Sequence, residues 1–144
     1  MPRALVDTSV LFAAAYRRDA AHEEGLGIVR GIDSGSLPQG VVLEYVLAET
    51  LNGLTTHAGH DAAVDFLDRV EENANVHIES VTGSVHASAK SAFRRHRRLS
   101  FVDAAIVAYM RTAGLGYLYA FDDDFDGIDD VYRLDSDTNP FRPD

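Results

Sequence analysis

The sequence contains no cysteine, which excludes disulfide bonds, thiolate metal sites and cysteine nucleophiles. No run approaches the ~18 apolar residues that a membrane-spanning helix needs. The N-terminal residues also lack the basic and apolar regions of an export signal, so we expect a cytoplasmic protein with no membrane contact. Lysine is almost absent, with Lys90 the single example.

Positive charge is scarce in general. Thirteen basic residues oppose 23 acidic ones, which gives a formal net charge of −10 over 144 residues. An acid excess with so little lysine resembles the halophilic-like composition of proteins adapted to high salt. At ~1 M salt the Debye length is only about 3 Å, so an acidic surface would repel a polyanion less than in dilute buffer. The composition therefore lowers, without removing, the expectation of a nucleic-acid partner.

Length and periodicity predict one α/β domain over residues 1–144, with residues 135–144 as a loosely held tail. Short apolar runs alternate with helical patterns, which favours a parallel sheet covered by helices on both faces. The predicted strands are 4–6, 76–78, 117–119 and 131–134. The predicted helices are 10–15, 22–32, 43–54, 61–71, 84–97 and 100–112, and the stretch 31–40 is assigned to a loop.

Four carboxylates lie beside or inside apolar runs: Asp7, Glu49, Asp103 and Asp122. A buried, unpaired carboxylate is so unfavourable that such groups pair, bind a metal or become protonated. Basic partners are scarce in these windows, and ligands gather beyond the carboxyl ends of parallel strands. We therefore predict that these acids share a divalent cation, for which oxygen ligands favour Mg²⁺ or Mn²⁺.

Each of these acids also has a simpler explanation. Asp7 has the position of a helix N-cap, and Asp103 that of the N3 partner of Ser100 in a capping box. Glu49 alone is typical of a solvated helix residue, and Asp122 begins an acidic run that is typical of a solvent-facing turn. The combination of four such positions favours one shared site.

The acidic run also matches the first half of a calcium-binding EF-hand loop. Asp122, Asp124 and Asp126 alternate and are followed by Gly127. The twelfth position is Arg133, where a bidentate glutamate is required. A calcium-binding interaction module is therefore retained only as a minor alternative.

One basic cluster precedes the segment that contains Asp103. It consists of Arg94, Arg95, Arg97 and Arg98 around His96. These arginines have the composition of a phosphate-binding patch for RNA. Two alternatives stay open: cations that complement a helix C-terminus, and partners for the chain's own acids.

The segments 5–11, 46–52, 99–108 and 119–125 resemble the successive acidic motifs of PIN-domain nucleases. More narrowly, they resemble the VapC-type ribonuclease toxins of type II toxin–antitoxin pairs. The resemblance implies a three-layer α/β/α domain with a short, mostly parallel sheet, and endonucleolytic cleavage of RNA. It also implies a Mg²⁺ or Mn²⁺ site, a small antitoxin as partner, and a homodimer. A housekeeping PIN nuclease without antitoxin, or a partner-binding subunit with this fold, would share the motifs.

The resemblance also assigns residue roles. It implies that Asp7 and Asp103 are metal ligands, that Asp122 is a further ligand, and that Glu49 is a ligand or a base. Thr8 and Ser9 are expected to assist with a hydroxyl or a backbone N–H.

One position departs from the family pattern. Ala120 stands where the family often has threonine, two residues before the last acidic position. Alignment on Phe125 leaves Asp124 as a possible substitute for Asp122 at that position, or as a supplement to it.

Overall fold

A computed structural model describes residues 2–142. This part of the chain forms five strands and six α-helices. The strands are β1 (Arg3–Val6), β2 (Gln39–Leu43), β3 (Val76–Glu79), β4 (Tyr117–Tyr119) and β5 (Tyr132–Leu134). The helices are α1 (Thr8–Ala15), α2 (His22–Ser34), α3 (Glu44–Ala58), α4 (His60–Glu72), α5 (Gly83–Arg95) and α6 (Phe101–Ala113).

The strands form one sheet in the order β3-β2-β1-β4-β5, and every pairing is parallel. Helices α1 to α4 pack against one another, and α5 packs against α6. With the right-handed crossovers that parallel strands favour, these two groups of helices cover opposite faces of the sheet. The predicted α/β class with a helix-covered parallel sheet is confirmed. Strands β2 and β3 are added on one side of β1, and β4 and β5 on the other side, so the order of strand addition reverses between β1 and β4. Such a reversal leaves a crevice at the carboxyl ends of the two strands.

The core is built from the central strands and from the inner face of α6. Ala4, Leu5 and Val6 of β1 are buried, as are Leu118 and Tyr119 of β4. Parallel strands covered on both faces are apolar without alternation, as here. In α6 the buried residues include Asp103 and the run from Ala104 to Ala108. The apolar segments of the sequence therefore form the centre of the domain.

The stretch 31–40 was predicted as a loop, and that prediction is wrong at both ends. Helix α2 continues to Ser34 before the left-handed Gly35, and β2 begins at Gln39. Residues 41 and 42 were assigned to no element from the sequence, and the helix was predicted to begin at Leu43. The strand was missed because α3 starts directly after Leu43, so no loop marks the end of β2. Position 40 of β2 suits glycine, because a Cβ there would approach Val6 Cγ2 to 3.2 Å, a tight contact.

The segment from residue 135 onward, which the sequence predicted as a loosely held tail, contacts the rest of the domain through three residues. The Tyr119 hydroxyl donates to the Thr138 carbonyl at 2.7 Å, and Asn139 Nδ2 donates to the Ser36 carbonyl at 2.9 Å. The ring of Phe141 packs edge-on against Tyr117, with 5.1 Å between centroids. Residues 135–144 are mostly polar, so their sequence has no apolar pattern from which these contacts could be predicted. Residues 143–144 of the predicted tail lie outside the described residues. No helix within residues 2–142 has the length and apolarity to cross a membrane.

The close contact between α1 and α2 at Gly25 can be tested by substitution. A Cβ on Gly25 of α2 would lie 2.9 Å from the Ala14 backbone nitrogen and 3.0 Å from the Val10 carbonyl oxygen. Gly25→Ala should therefore push α2 away from α1 and lower the free energy of unfolding by about 1–3 kcal/mol. Chemical denaturation measures the difference.

Gly83→Ala is the matched control, because nothing lies within 4 Å of a Cβ there and the residue opens α5. Equal stability of Gly25→Ala and Gly83→Ala would contradict the close approach of α1 and α2.

Candidate metal centre

Asp7 lies at the carboxyl end of β1 and caps α1. Its Oδ2 accepts hydrogen bonds from the Ser9 backbone N–H at 3.2 Å and from the Ser9 hydroxyl at 2.7 Å. Only 4% of the residue is exposed. Burial raises the pKa of the Asp7 carboxyl, the hydrogen bonds from Ser9 oppose this rise, and the charge of Glu49 adds to it. The simple explanation as an N-cap is therefore correct, but it leaves an acid with energetically costly charge.

Ser9 joins the ends of the two central strands. Its hydroxyl donates to Asp7 and accepts from the Phe121 backbone N–H at 3.0 Å. The Asp7 backbone N–H in turn donates to the Tyr119 carbonyl at 3.0 Å. These bonds hold Asp7 against the segment that leads to Asp122. Ser9 was predicted as an auxiliary residue on its local sequence, and its link to β4 was not visible there.

Asp103 occupies the first turn of α6. Its backbone N–H donates to the Ser100 hydroxyl at 3.1 Å, and the Ser100 N–H donates to its Oδ2 at 3.4 Å, which completes the predicted capping box. Burial, and then the charge of Asp7, raise the pKa of Asp103 to about 7, with a smaller contribution from Asp122. The structure thus brings Asp7, Asp103 and Asp122 close enough for their charges to repel.

Glu49 is exposed on α3. Its charge contributes to the raised pKa of the Asp7 carboxyl, so it lies at the margin of the same group of acids. The exposed position agrees with a solvated helix residue, as its sequence context suggested. An exposed carboxylate beside the buried acids is better placed to contact water at the site than to occupy its buried centre.

Asp122 follows β4 and caps a single 3₁₀ turn, Asp123–Phe125. Its Oδ1 accepts from the Asp124 backbone N–H at 2.9 Å. Phe125 is fully buried and anchors the turn in the core. Among residues 2–142, Asp122, Asp123 and Asp124 form the one set of three acids whose oxygens all lie within 4.8 Å of one another.

Arg98 pairs with the surplus acids of this turn. Its guanidinium contacts Asp124 Oδ1 at 3.0 Å and Asp123 Oδ1 at 3.2 Å. The sequence placed Arg98 among the RNA-binding residues, and here the structure favours the alternative that it pairs with the chain's own acids. Because the near oxygen of Asp124 already contacts a cation, Asp122 is the better candidate for the last ligand position.

The calcium alternative is not supported by the contacts of the same segment. Arg133 donates to both oxygens of Asp126, at 2.8 and 3.0 Å, and these bonds lower the pKa of that carboxyl. The fifth and twelfth positions of the EF-hand-like segment therefore bind each other. A strand precedes the segment and another follows it, whereas an EF-hand needs helices.

The remaining arginines of the basic cluster are exposed at the end of α5 and in the loop before α6. Among the residues that the structure describes, none of the ion pairs within 4 Å includes Arg94, Arg95 or Arg97. Arg94 and Arg95 lie in the last turn of α5, where they also complement the helix dipole. Both interpretations from the sequence therefore fit their positions.

The donor set fits a divalent cation. Within residues 2–142, no ion pair involves Asp7, Glu49, Asp103 or Asp122, so no side-chain cation offsets their mutual repulsion. Thr8 Oγ1 is buried and has no hydrogen-bond partner among the same residues. Carboxylate oxygens without a basic partner are the chemistry that Mg²⁺ and Mn²⁺ select. Asp7, Glu49 and Asp103 do not belong to the set of three acids whose oxygens lie within 4.8 Å of one another, so these four acids form a looser group than that turn.

Comparison with known proteins identifies the family. The family model of the PIN domain matches residues 4–131, almost the whole chain. The chain belongs to the PIN-domain family. The family membership that the four acidic motifs predicted is confirmed.

Among the relatives of this PIN domain is the 23S rRNA-specific endonuclease VapC20 of Mycobacterium tuberculosis. The two are 35% identical over 122 residues, which cover 83% of this chain and 89% of the relative. The crystal structure of VapC20, described as a sarcin–ricin loop cleaving toxin, superposes with a TM-score of 0.72 at 34% identity, over 84% of this chain and 91% of that one. VapBC2 from Rickettsia felis, bound to a promoter DNA fragment, shares the fold at a TM-score of 0.69 and 11% identity, over 92% and 97% of the two chains.

The raised pKa of Asp103 predicts a pH-dependent stability of the metal-free protein. A carboxyl whose pKa is about 7 when folded and 3.8 when unfolded stabilises the fold fully below about pH 3.8 and loses this contribution as the pH rises through about 7. Asp103→Asn removes the charge, and its amide oxygen can still accept from the Ser100 N–H. The variant should gain stability relative to the wild type between pH 5 and pH 8, by about 1 kcal/mol or more.

Urea unfolding in EDTA at both pH values measures this gain. Asp68→Asn, an exposed position on α4, is the control and should leave the pH dependence unchanged. If the stability difference between Asp103→Asn and the wild type were the same at pH 5 and pH 8, burial and repulsion at Asp103 would be refuted.

Proposed function

We propose that this PIN domain, as a single domain over residues 1–144, is a metal-dependent endoribonuclease of the VapC type. The proposal rests on one observation above all. Asp7, Asp103 and Asp122 come from three separate segments, burial and the charges of Asp7 and Asp122 raise the pKa of Asp103, and none of the three acids has a cationic partner within residues 2–142. Repelling acids at the carboxyl edge of a parallel sheet are stable as a group when a cation is bound between them.

The ion in this proposal is Mg²⁺ or Mn²⁺. Asp7, Asp103 and Asp122 would hold it, and Glu49, at the exposed margin, would act as a further ligand or orient the attacking water. When bound, such an ion supplies a deprotonated water and stabilises charge on the phosphoryl and leaving oxygens. Ser9 keeps one oxygen of Asp7 fixed, and Thr8 offers a hydroxyl beside it.

The substrate class follows from the relative. VapC20 is named for cleavage of 23S rRNA, and its similarity extends over most of both chains. We extend this to the present protein and propose that it cuts large-subunit ribosomal RNA, at the sarcin–ricin loop. Phosphates of the bound strand would be neutralised by Arg94, Arg95 and Arg97, which make no ion pair among the described residues 2–142.

The VapC assignment carries further proposals about partners. A VapC-type toxin would act in the cytoplasm, as a homodimer, and would be neutralised by a small antitoxin. The second candidate is a housekeeping PIN nuclease without antitoxin. A short neighbouring gene that encodes a DNA-binding N-terminus and a flexible tail would favour the toxin, and its absence would favour the housekeeping nuclease.

The first test is RNA cleavage by purified protein. Wild type should cut intact ribosomes or total RNA in Mg²⁺ and lose this activity in EDTA. Asp103→Asn should fall by about 100-fold or more, since about 3 kcal/mol of lost metal stabilisation corresponds to that factor. Primer extension across the large-subunit RNA locates the cut.

Asp68→Asn is again the matched control and should retain full activity. Cleavage by Asp103→Asn at the wild-type rate would rule out the proposed centre. A cut elsewhere in the RNA pool would leave the nuclease proposal intact and reject the ribosomal target.

A second test separates the two candidates for the last ligand. Asp122→Asn should weaken Mn²⁺ binding, measured by calorimetry, by about 10-fold or more, a loss typical when a metal site is disturbed. Asp124→Asn should have a much smaller effect, because Arg98 already contacts that carboxylate. The opposite ranking of the two variants would assign the ligand role to Asp124.

A further inference from the structure

Four aromatic rings form a continuous cluster beside the acids. The aromatic cluster consists of Tyr45 from α3, His86 and Phe93 from α5, and Phe101 from α6. The ring centroid of Phe101 lies 5.4 Å from that of His86, 5.8 Å from that of Phe93 and 6.5 Å from that of Tyr45. Phe101 is therefore the centre of the cluster, and the other three rings surround it.

The cluster borders the proposed metal centre on α3. Tyr45 precedes Glu49 by one turn of α3, so the two side chains lie on the same face of that helix. Phe101 and Asp103 both lie in the first turn of α6, but residues two apart project from different sides of a helix. The link between the rings and the acids is therefore the Tyr45 and Glu49 face of α3, and we expect a strand of RNA whose phosphate reached the acids to pass there.

The cluster is held rigidly at its inner end and is open at its outer end. The Tyr45 hydroxyl and His86 Nδ1 share a hydrogen bond at 2.9 Å. The Phe93 ring meets Phe101 at an interplanar angle of 68°, and 48% of the residue is exposed. Phe93 is also absent from the partly buried side chains that pack on the core. Packing within the domain thus accounts for Tyr45, His86 and Phe101, but not for the exposure of Phe93.

Cations follow the exposed ring directly. Arg94 and Arg95 are the next two residues, Arg97 follows in the loop, and all three are exposed and outside the ion pairs of residues 2–142. In a chain of net charge −10 this is a marked local excess of positive charge. An exposed aromatic ring flanked by free guanidinium groups is the combination that binds single-stranded nucleic acid, through stacking and phosphate contacts.

We propose that Phe93 is a stacking platform for an unpaired base of the RNA substrate, and that Arg94, Arg95 and Arg97 bind the adjacent phosphates. The inference rests on the proposed function, because the strand must lead from this platform to the acids. A second copy of the chain fits this surface less well, since a symmetric contact would bring the same arginines towards one another. Unpaired bases are also the part of RNA that aromatic side chains read.

The chain lacks tryptophan, which permits a direct optical test. Phe93→Trp introduces the sole indole of the protein and keeps a ring for stacking. Addition of a short, unstructured oligoribonucleotide in EDTA should quench its fluorescence. Tyr132→Trp is the matched control, because Tyr132 is also exposed but lies at the amino end of β5, away from the carboxyl ends of the strands. The fluorescence of a tryptophan at position 132 should not change when the oligonucleotide is added.

Binding affinity supplies the second readout. Phe93→Leu keeps apolar bulk but removes the ring, and should weaken binding of the same oligonucleotide by about 5- to 150-fold, the usual range for loss of one stacked base. The slope of log affinity against log salt should stay unchanged, because no phosphate contact is lost. Replacement of Arg94 and Arg95 by Gln should instead reduce that slope by about 0.7 for each phosphate released.

Two results would overturn the platform. One is an unquenched Phe93→Trp together with wild-type affinity in Phe93→Leu. The other is a change in the sedimentation of Phe93→Leu with unchanged RNA affinity, which would assign the surface to contact between copies. If the oligonucleotide quenched Phe93→Trp but wild type cut no RNA in Mg²⁺, the platform would stand and the nuclease proposal would fail.

Discussion

The pairing of β1 with β4 is the contact on which the candidate centre depends. It places Val6 opposite Tyr119 and continues through the hydrogen bond from the Asp7 N–H to the Tyr119 carbonyl. The Ser9 hydroxyl then extends the link to Phe121. Residues more than 100 positions apart in sequence thereby meet at the point where the order of strand addition reverses. Any disturbance of this junction would move Asp7 relative to Asp122, even though neither strand contributes a ligand from within its own length.

The caps and the acidic centre are one arrangement with two consequences. Asp7 and Asp103 each use a carboxylate oxygen to satisfy backbone N–H groups at the start of a helix, which fixes the orientation of the side chain. The capping bonds thus prearrange the acids, while burial and repulsion raise their pKa values. Stability lost to this repulsion in the metal-free protein is the expected cost of a site that binds a cation.

Much of this could be predicted from the sequence, because the relevant signals are local. Apolar runs followed by an acid located β1 and β4, and Ser100 with Asp103 located the start of α6. Contacts between distant segments were not predictable. Strand β2 merges with α3 without a loop, the pairing of Arg98 with Asp123 and Asp124 spans 25 residues or more, and the anchors of residues 135–142 lie on remote elements. Periodicity carries no information about such partners.

The distribution of charge explains how an acidic protein can present a surface for RNA. Arg98 contacts Asp123 and Asp124, and Arg133 contacts Asp126, so the chain's own arginines partly offset the charge of the acids beside the centre. The acids that would hold a metal ion have no such partner within residues 2–142, so their mutual repulsion remains. A bound divalent cation removes that repulsion, while the arginines that follow Phe93 stay available to phosphates. Net charge therefore describes the whole chain, whereas RNA would meet a neutralised centre beside a basic edge.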